Sequence, residues 1–351
     1  MSEKVNKKRL KAAAVSLAVL IAAVAVIGVL ELVVALIGDS VDFIKAGERW
    51  SGGGEAYAVI SAYCESDTGI DENTLLMWQQ SVDDALTEAA VTPSGGRLWA
   101  WAASFPTELS VSGPKGSTTA AVTVCAGDFF VFHRFDYVCG NGFLTDNENP
   151  MGVVLDENLA WKLFGATNIV GMKFNIYDCE YTVTGVYKPE SRHGAYAYTY
   201  GETPRMYMSY AGFAKVSDGT FTVYETALPN PVRGFAKNIF DGAVSVDTDR
   251  NTVAEASDRF SVKNRFENMK ELRYSWIRKQ SLEYPHWENE ARVYDYRCAV
   301  IMIFEIIFVA AGVIALLSSI ILVVISGYSP VRTVKNIVSK LFAGRKKRKK
   351  K

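Results

Sequence analysis

Two long apolar runs, one near each end, constrain this chain of 351 residues more than any other feature. The first extends over residues 12–37 and is interrupted only by Ser16 and Glu31, and the second begins at Cys298 and ends at Ile325. A helix rises about 1.5 Å per residue, so about 20 apolar residues cross a hydrocarbon core about 30 Å thick. A core helix of a soluble protein would show a polar face, which neither run has. We therefore predict transmembrane helices at residues 12–37 and 298–327.

The charged residues outside these runs predict the orientation. Five basic residues lie before the first run, and the tail after the second run is basic and contains no acid. Because basic flanks stay in the cytoplasm, we expect residues 1–11 and 328–351 inside and residues 38–297 outside. Beside a membrane span, the basic tail would bind anionic lipid headgroups rather than nucleic acid. The chain has 38 basic and 38 acidic residues in total, so the segment between the runs is acidic.

A cleaved signal peptide is the alternative interpretation of the first run. The apolar region of a signal peptide spans about 7 to 15 residues and ends in a small-residue cleavage site. The first run is longer, and Val33–Gly38 offers no such site. An uncleaved membrane anchor is therefore favoured.

Four cysteines lie in the segment expected outside the cytoplasm, and a fifth, Cys298, begins the second run. An oxidising compartment permits disulfides, and four cysteines allow three pairings. No C-x-x-C pair occurs, so neither a metal site nor thioredoxin-like chemistry is expected. The sequence leaves open whether these four residues form one or two disulfides or are buried thiols: Cys64, Cys125, Cys139 and Cys179.

The middle segment contains both strand and helix patterns, which predict an α/β (α+β) domain. Residues 57–64 are β-branched and aromatic, as in a strand, and Asp71 or Asn73 can cap the amphipathic helix that follows. Further strands are expected at 97–105, 107–112 and 118–125, with Pro106 separating the first two. Asp128 is expected to cap a helical turn.

The best-defined pattern lies between residues 152 and 187. A short apolar strand precedes Asp156, which can cap a helix over 157–164 that Gly165 ends. Residues 172–176 and 180–187 predict a hairpin. The segment 189–219 is rich in tyrosine and glycine and is expected to be either a small separate lobe or a long loop. Beyond it we expect a strand at 242–246 and a long polar helix at 252–274.

Residues 153–165, followed by Ile169–Gly171 and Tyr181–Val186, resemble the periplasmic core domain of MacB/FtsX-type ABC transporter permeases. In that family a strand, an A-x-x-L-F-G helix, a V-G turn and a y-x-V-x-G-V strand follow in this order. With an upstream strand and F-F turn, the resemblance covers Val122–Tyr187. It implies an extracytoplasmic domain of the MacB-like core type, inserted between two helices in a bacterial cytoplasmic membrane.

The chain also departs from this family pattern. Family permeases usually have four spans and a cytoplasmic loop that contacts the ATPase. In this chain, only residues 329–338 are suited to form a short amphipathic cytoplasmic helix, and a membrane-surface helix is the equal alternative. The residues expected to provide such coupling are Pro330, Arg332 and Lys335.

No motif for enzymatic chemistry emerges. Residues 113–118 lack the spacing of a phosphate-binding loop, and the three histidines fit neither a zinc motif nor a catalytic triad. We therefore expect no enzyme activity and no cofactor.

Two acids, Glu31 and Glu305, lie inside the apolar runs and are candidates for an intramembrane role. The alternative is that both side chains extend to the interface. Small residues at four-residue spacing predict close helix packing: Ala14, Ala18 and Ala22 in the first run, and Ala311, Ala315 and Ser319 in the second.

These features favour a non-catalytic membrane subunit of an ABC-type transporter or mechanotransmission complex. Its expected partners are a separate ABC ATPase and a multi-span permease subunit, and a homo-oligomer is also compatible with the sequence. The alternative is a free-standing, membrane-anchored protein that binds or senses an extracellular ligand.

Overall fold

The structure is a computed structural model that describes residues 2–91, 96–143, 150–189, 200–275 and 284–326. The chain divides into two compact units, one of residues Ile37–Ala299 and one of the residues before and after them. The helices are α1 Ser2–Ser40, α2 Ala46–Ser51, α3 Glu72–Glu88, α4 Phe129–Phe132, α5 Glu157–Phe164, α6 Tyr210–Phe213, α7 Phe235–Ala243, α8 Val262–Ser275 and α9 His286–Ile325. The strands are β1 Tyr57–Tyr63, β2 Ala100–Gly113, β3 Gly116–Gly127, β4 Asp136–Gly140, β5 Gly152–Asp156, β6 Lys173–Ile176, β7 Cys179–Lys188, β8 Arg205–Ser209, β9 Val223–Pro229 and β10 Thr252–Glu255.

All ten described strands form a single mixed sheet. Its order is β10-β1-β9-β2-β3-β8-β5-β7-β4, and β6 pairs with both β2 and β7. The pairs β3·β8 and β5·β7 are parallel, and the other pairs are antiparallel. One face of the sheet packs against α3, α5 and α7, and the other packs against α2, α4 and the first turns of α9. The predicted α/β class is therefore confirmed.

The region 152–187 folds as its local signals predict. The carboxylate of Asp156 accepts a hydrogen bond from the Leu159 backbone N–H at 2.6 Å and so caps α5. Gly165 ends the helix in the left-handed conformation, with φ of +71°. Strands β6 and β7 form the predicted hairpin, in which Phe174 lies opposite Tyr181.

Pro106 does not separate two strands, as the sequence predicted, but lies inside the single strand β2. The carbonyl of Ser104 points away from β3 and accepts from the Thr222 backbone N–H. Backbone groups alternate sides along a strand, so the missing N–H of Pro106 lies on that same side. There the pairing with β9 ends at Ser104, and the pairing with β6 begins at Val111. Among the described strands, proline therefore removes no ladder hydrogen bond at this position.

The segment 189–219 is not a separate lobe or loop in its described part. Strand β8 pairs with β3 on one side and with β5 on the other, and four of its five residues are buried. Residues 190–199 lie outside the described residues. The sequence suggested a lobe because the pairing partners of β8 are distant in the chain.

The region after α7 also differs from the prediction. The expected strand at 242–246 is absent there, because α7 continues to Ala243 and no strand follows before Thr252. The expected helix over 252–274 begins only at Val262, because residues 252–255 pair with β1 as β10. An available edge of the sheet therefore overrides the local helix pattern.

In the other unit, α1 and α9 pack through rows of residues that recur about every 3.5 positions. The buried residues of α1 there include Ala13, Ala23 and Val34, whereas the predicted row Ala14, Ala18 and Ala22 is exposed. Gly312 faces Leu20 and Ala23, and Ser319 Oγ lies 3.4 Å from the Ala13 carbonyl oxygen. A spacing that alternates three and four residues suits helices that cross at about 20°.

Candidate functional site

A buried cluster of charged residues joins the first turns of α9 to the sheet. Along β1 the side chains alternate between faces, so Ser61 and Tyr63 point to the face on which α9 lies. Arg259 follows β10, the neighbour of β1, and Glu288, Arg292 and Asp295 recur on one side of α9. We call these four charged residues the Arg259 cluster.

Arg259 bonds two carboxylates at once. Its Nη1 and Nη2 donate to the two oxygens of Glu288 at 2.7 and 2.8 Å. Its Nε and Nη2 donate to Asp295 at 2.7 to 2.9 Å. Arg292 Nε adds a bond of 2.8 Å to Glu288. Two positive and two negative side chains make the cluster neutral, which burial of charge in a protein interior requires.

Tyr63 extends the cluster to the sheet. Its hydroxyl donates to Glu288 Oε2 at 3.0 Å. Burial, and then the charges of Glu288 and Glu225, raise the pKa of Tyr63 well above its ordinary value, so the hydroxyl keeps its proton. Although burial alone would lower the pKa of Arg259, the carboxylates of Glu288 and Asp295 raise it. Tyr63 and Arg259 therefore keep their protons over the physiological pH range.

A second polar pair lies on the same face of the sheet. Nε2 of His133 is 2.7 Å from Oε2 of Glu225, and both side chains are buried. The ring of Trp287, in the first turn of α9, packs over His133 with 4.2 Å between ring centroids. Trp287 thus encloses the pair, and α9 covers polar as well as apolar parts of the sheet.

Two polar atoms near this pair have no hydrogen-bond partner among the described residues: Glu225 Oε1 and Trp287 Nε1. Ser61 lies directly opposite Glu225 in the register of β1 and β9. Unpaired buried polar groups cost free energy, so the packing of α9 at this point is less favourable than at the Arg259 cluster. At the Arg259 cluster, by contrast, the carboxylates of Glu288 and Asp295 on α9 both accept hydrogen bonds from Arg259.

The sequence did not point to the Arg259 cluster. Its one local signal is the spacing of Glu288, Arg292 and Asp295, which places three charges on one helical face just before an apolar run. Arg259 is 29 residues from Glu288. Only the folded chain brings them together.

The residues proposed from the sequence lie elsewhere. Glu31 is exposed on α1, and Glu305 is only 5% exposed on α9. Pro330, Arg332 and Lys335 lie outside the described residues. The intramembrane and coupling roles of these residues stay predictions.

All five cysteines fall within the described residues, and all are free thiols. Cys139 lies opposite Val186 on β7, seven residues from Cys179 at the start of that strand. Seven residues of strand span about 23 Å, whereas a disulfide joins Cα atoms less than about 7 Å apart. Cys64 and Cys125 are buried, the latter with Sγ 3.3 Å from the Met208 carbonyl oxygen. The separation along β7 excludes a disulfide between Cys139 and Cys179, and any other pairing of the four cysteines stays a prediction.

Two helices of the structure are long and apolar enough to span a membrane by length and composition, Val5–Ser40 and His286–Ile325. No curated protein matches the chain. Residues 12–259 match the family model described as the MacB-like periplasmic core domain.

The chain also resembles solved structures. The periplasmic region of MacB from Actinobacillus actinomycetemcomitans is 12% identical, with 60% of this chain and 92% of that one covered and a TM-score of 0.38. The extracellular domain of the noncanonic ABC-type transporter YknZ from Gram-positive bacteria is 15% identical, with 53% and 90% covered and a TM-score of 0.35. Since the family model covers well over half of its length, the chain belongs to the MacB-like periplasmic core domain family of ABC transporter permeases, as the motifs between Val122 and Tyr187 predicted.

Proposed function

We propose that this protein is a non-catalytic membrane subunit of an ABC-type transporter or mechanotransmission complex. In this proposal α1 and α9 cross the bacterial cytoplasmic membrane with both termini in the cytoplasm. The domain of residues 38–297 lies outside and couples to, or senses, substrate or partner proteins. A separate ABC ATPase supplies the energy, and a multi-span permease subunit is the second partner in the membrane.

The observation that carries this proposal is the attachment of α9 through the Arg259 cluster. A simple anchor needs only a linker between span and domain. Here the first turns of α9 are held by Arg259, which is 8% exposed, through a carboxylate of Glu288 that is fully buried. Because α9 is a single helix from His286 to Ile325, a displacement of its apolar part would act directly on these hydrogen bonds.

Purification of the full chain with its membrane partners in mild detergent tests the complex. We expect an ABC ATPase to co-purify. If neither an ATPase nor a multi-span permease is recovered, while the chain itself is folded, the proposal is overturned.

A variant of the cluster then tests the coupling. Asp295→Asn keeps the shape of the side chain but removes the negative charge that Asp295 presents to Arg259. We expect the complex to assemble as before and its ATP turnover to respond less to added partner or substrate. Arg233→Gln, which removes an exposed ion pair with Asp258, is the matched control and should leave the response unchanged.

The alternative is a free-standing, membrane-anchored binding or sensor protein. A monomeric chain that binds an extracellular ligand without other subunits would support it. Homo-oligomerisation and the binding of anionic lipid by the basic tail are compatible with either function. Light scattering of the chain in nanodiscs, with and without anionic lipid, would measure both.

A further inference from the structure

A deep groove lies away from the Arg259 cluster and shares no residue with it. It has a volume of about 750 Å³ and is bounded by α3 on one side and by α4 and α6 on the other. Pockets of about 300 to 1,000 Å³ hold small molecules in other proteins. The groove is therefore large enough for a ligand.

The walls of this groove are mainly apolar and aromatic. Leu75 and Phe221 form its buried floor, and Trp101 and Phe130 line its sides. At the rim, Leu76 is 62% exposed, and the neighbouring Met77 is 66% exposed. Exposed leucine and methionine beside an aromatic cleft suit an apolar chain.

One cation is available at the groove. The side chain of Arg97 is 56% exposed. Within the described residues its guanidinium forms one hydrogen bond, which Nη2 donates to Asp128. A guanidinium has five N–H groups, so four remain for a ligand. Asp128 is only 16% exposed and also accepts from the Trp101 backbone N–H at 3.3 Å. The accessible charge of the pair is therefore positive.

The charged residues also give the groove a direction. Arg97 and Gln79 both line a smaller adjoining cavity, so Arg97 lies beside the middle of α3. Glu72 begins α3, and seven residues of helix separate it from Gln79 by about 10 Å. An anionic group would be attracted to the Arg97 end and repelled at the Glu72 end.

We propose that this groove binds a free single-chain amphiphile with an anionic head, such as a fatty acid anion. The head bonds Arg97, and the apolar chain lies over Trp101, Phe130 and Leu76 towards Glu72. This site does not depend on the proposed function, because it shares no residue with the Arg259 cluster.

Quenching of tryptophan fluorescence by 12-bromododecanoate tests the proposal on the full chain in lipid nanodiscs. Bromine quenches an indole that it contacts, so we expect saturable quenching that is lost in Trp101→Phe. Arg97→Gln should weaken binding about tenfold, since a charge-assisted hydrogen bond is removed. Leu76→Glu should weaken it by at least as much, and Glu72→Gln should not weaken it.

Two exposed positions elsewhere provide matched controls: Arg233→Gln for Arg97→Gln and Val232→Glu for Leu76→Glu. Both should bind as the unmodified protein does. If 12-bromododecanoate quenches Trp101→Phe as strongly as it quenches the unmodified protein, the ligand does not bind in this groove. An unchanged affinity in Arg97→Gln, or tighter binding of 11-bromoundecyltrimethylammonium, would overturn the anionic head. An amphipathic peptide that binds where 12-bromododecanoate does not would also overturn the proposal.

Discussion

Arg259 and Glu288 form two parallel hydrogen bonds, of 2.7 and 2.8 Å, and the carboxylate of Glu288 is fully buried. The attraction between such buried charges roughly offsets the cost of removing them from water, so the pair contributes little net stability. What it contributes is a defined position for α9 on the sheet. A shift of α9 would move the carboxylates of both Glu288 and Asp295 away from Arg259.

Arg259→Met should destabilise the domain by about 3 to 5 kcal/mol, because it leaves the carboxylate of Glu288 buried without its main partner. Urea unfolding of the full chain in nanodiscs, followed by near-UV circular dichroism, measures the loss. Arg233→Met is the control. It removes an ion pair whose arginine is 69% exposed, and such pairs contribute about 0 to 1 kcal/mol. Equal losses in the two variants would show that the Arg259 cluster is not buried as described.

Local signals predicted the elements well where the cause of the structure is itself local. Asp156 and Gly165 lie at the two ends of α5, and each acts on the helix that it borders. The hairpin β6–β7 likewise joins neighbouring residues in the chain. These predictions needed no knowledge of the rest of the fold.

The errors concern residues whose structure depends on distant partners. Strand β8 forms because it can pair with β3 on one side and with β5 on the other. Pro106 is tolerated in β2 because β9 no longer pairs there. Arg259 and Glu288 pair across 29 positions, at which no sequence periodicity applies. Pairings between residues far apart in the chain leave no local pattern in a single sequence. Most of the candidate site was therefore not predicted.

Asp156→Ala should cost more than Asp71→Ala, although both residues cap a helix. Asp71 is exposed and accepts a hydrogen bond from the Thr74 backbone N–H, so its loss removes only a cap that water can replace. Asp156 is fully buried and accepts bonds from the backbone N–H groups of both Leu159 and Arg205. Its loss should cost about 2 to 4 kcal/mol, because two buried donors lose their partner.

Asp156→Asn refines this comparison. Burial raises the pKa of Asp156 even though the two backbone N–H groups favour its charged form. An uncharged asparagine avoids that burial cost and still caps the helix, so it should be less destabilising than alanine. A variant series in which asparagine is as harmful as alanine would contradict this explanation. Urea unfolding measures all three changes.

Gly140→Ala and Gly171→Ala distinguish a steric requirement from a conformational one. Both glycines have positive φ, of +70° and +83°, which costs about 1 kcal/mol for alanine. A Cβ at Gly171 meets no atom within 4 Å, but at Gly140 it would lie 2.0 Å from the Thr184 carbonyl oxygen. We expect a loss of about 1 kcal/mol for Gly171→Ala and a clearly larger one for Gly140→Ala, with local displacement of β4 from β7. Equal losses, measured by urea unfolding, would mean that the backbone of β4 moves freely.

Cys64 makes stability depend on pH above neutrality. Burial raises the pKa of its thiol to about 12, against about 8.5 in an unfolded chain. Below about pH 8.5 the thiol is neutral in both states, and its contribution is fully present. As the pH rises further, the unfolded chain loses a proton that the folded chain keeps, and stability falls by up to about 1.4 kcal/mol per pH unit.

Cys64→Ala isolates this effect. The substitution also loses packing, but that loss is independent of pH and shifts the whole profile. Between pH 8 and pH 10 the unmodified protein should therefore lose about 2 kcal/mol more than the variant.

Urea unfolding at half-unit pH steps under a reducing agent measures both profiles. The buried thiol of Cys125 is present in both proteins, so its contribution cancels in the difference. Parallel profiles would contradict the burial of Cys64 between β1 and the segment at Thr222, whose carbonyl accepts the Cys64 backbone N–H.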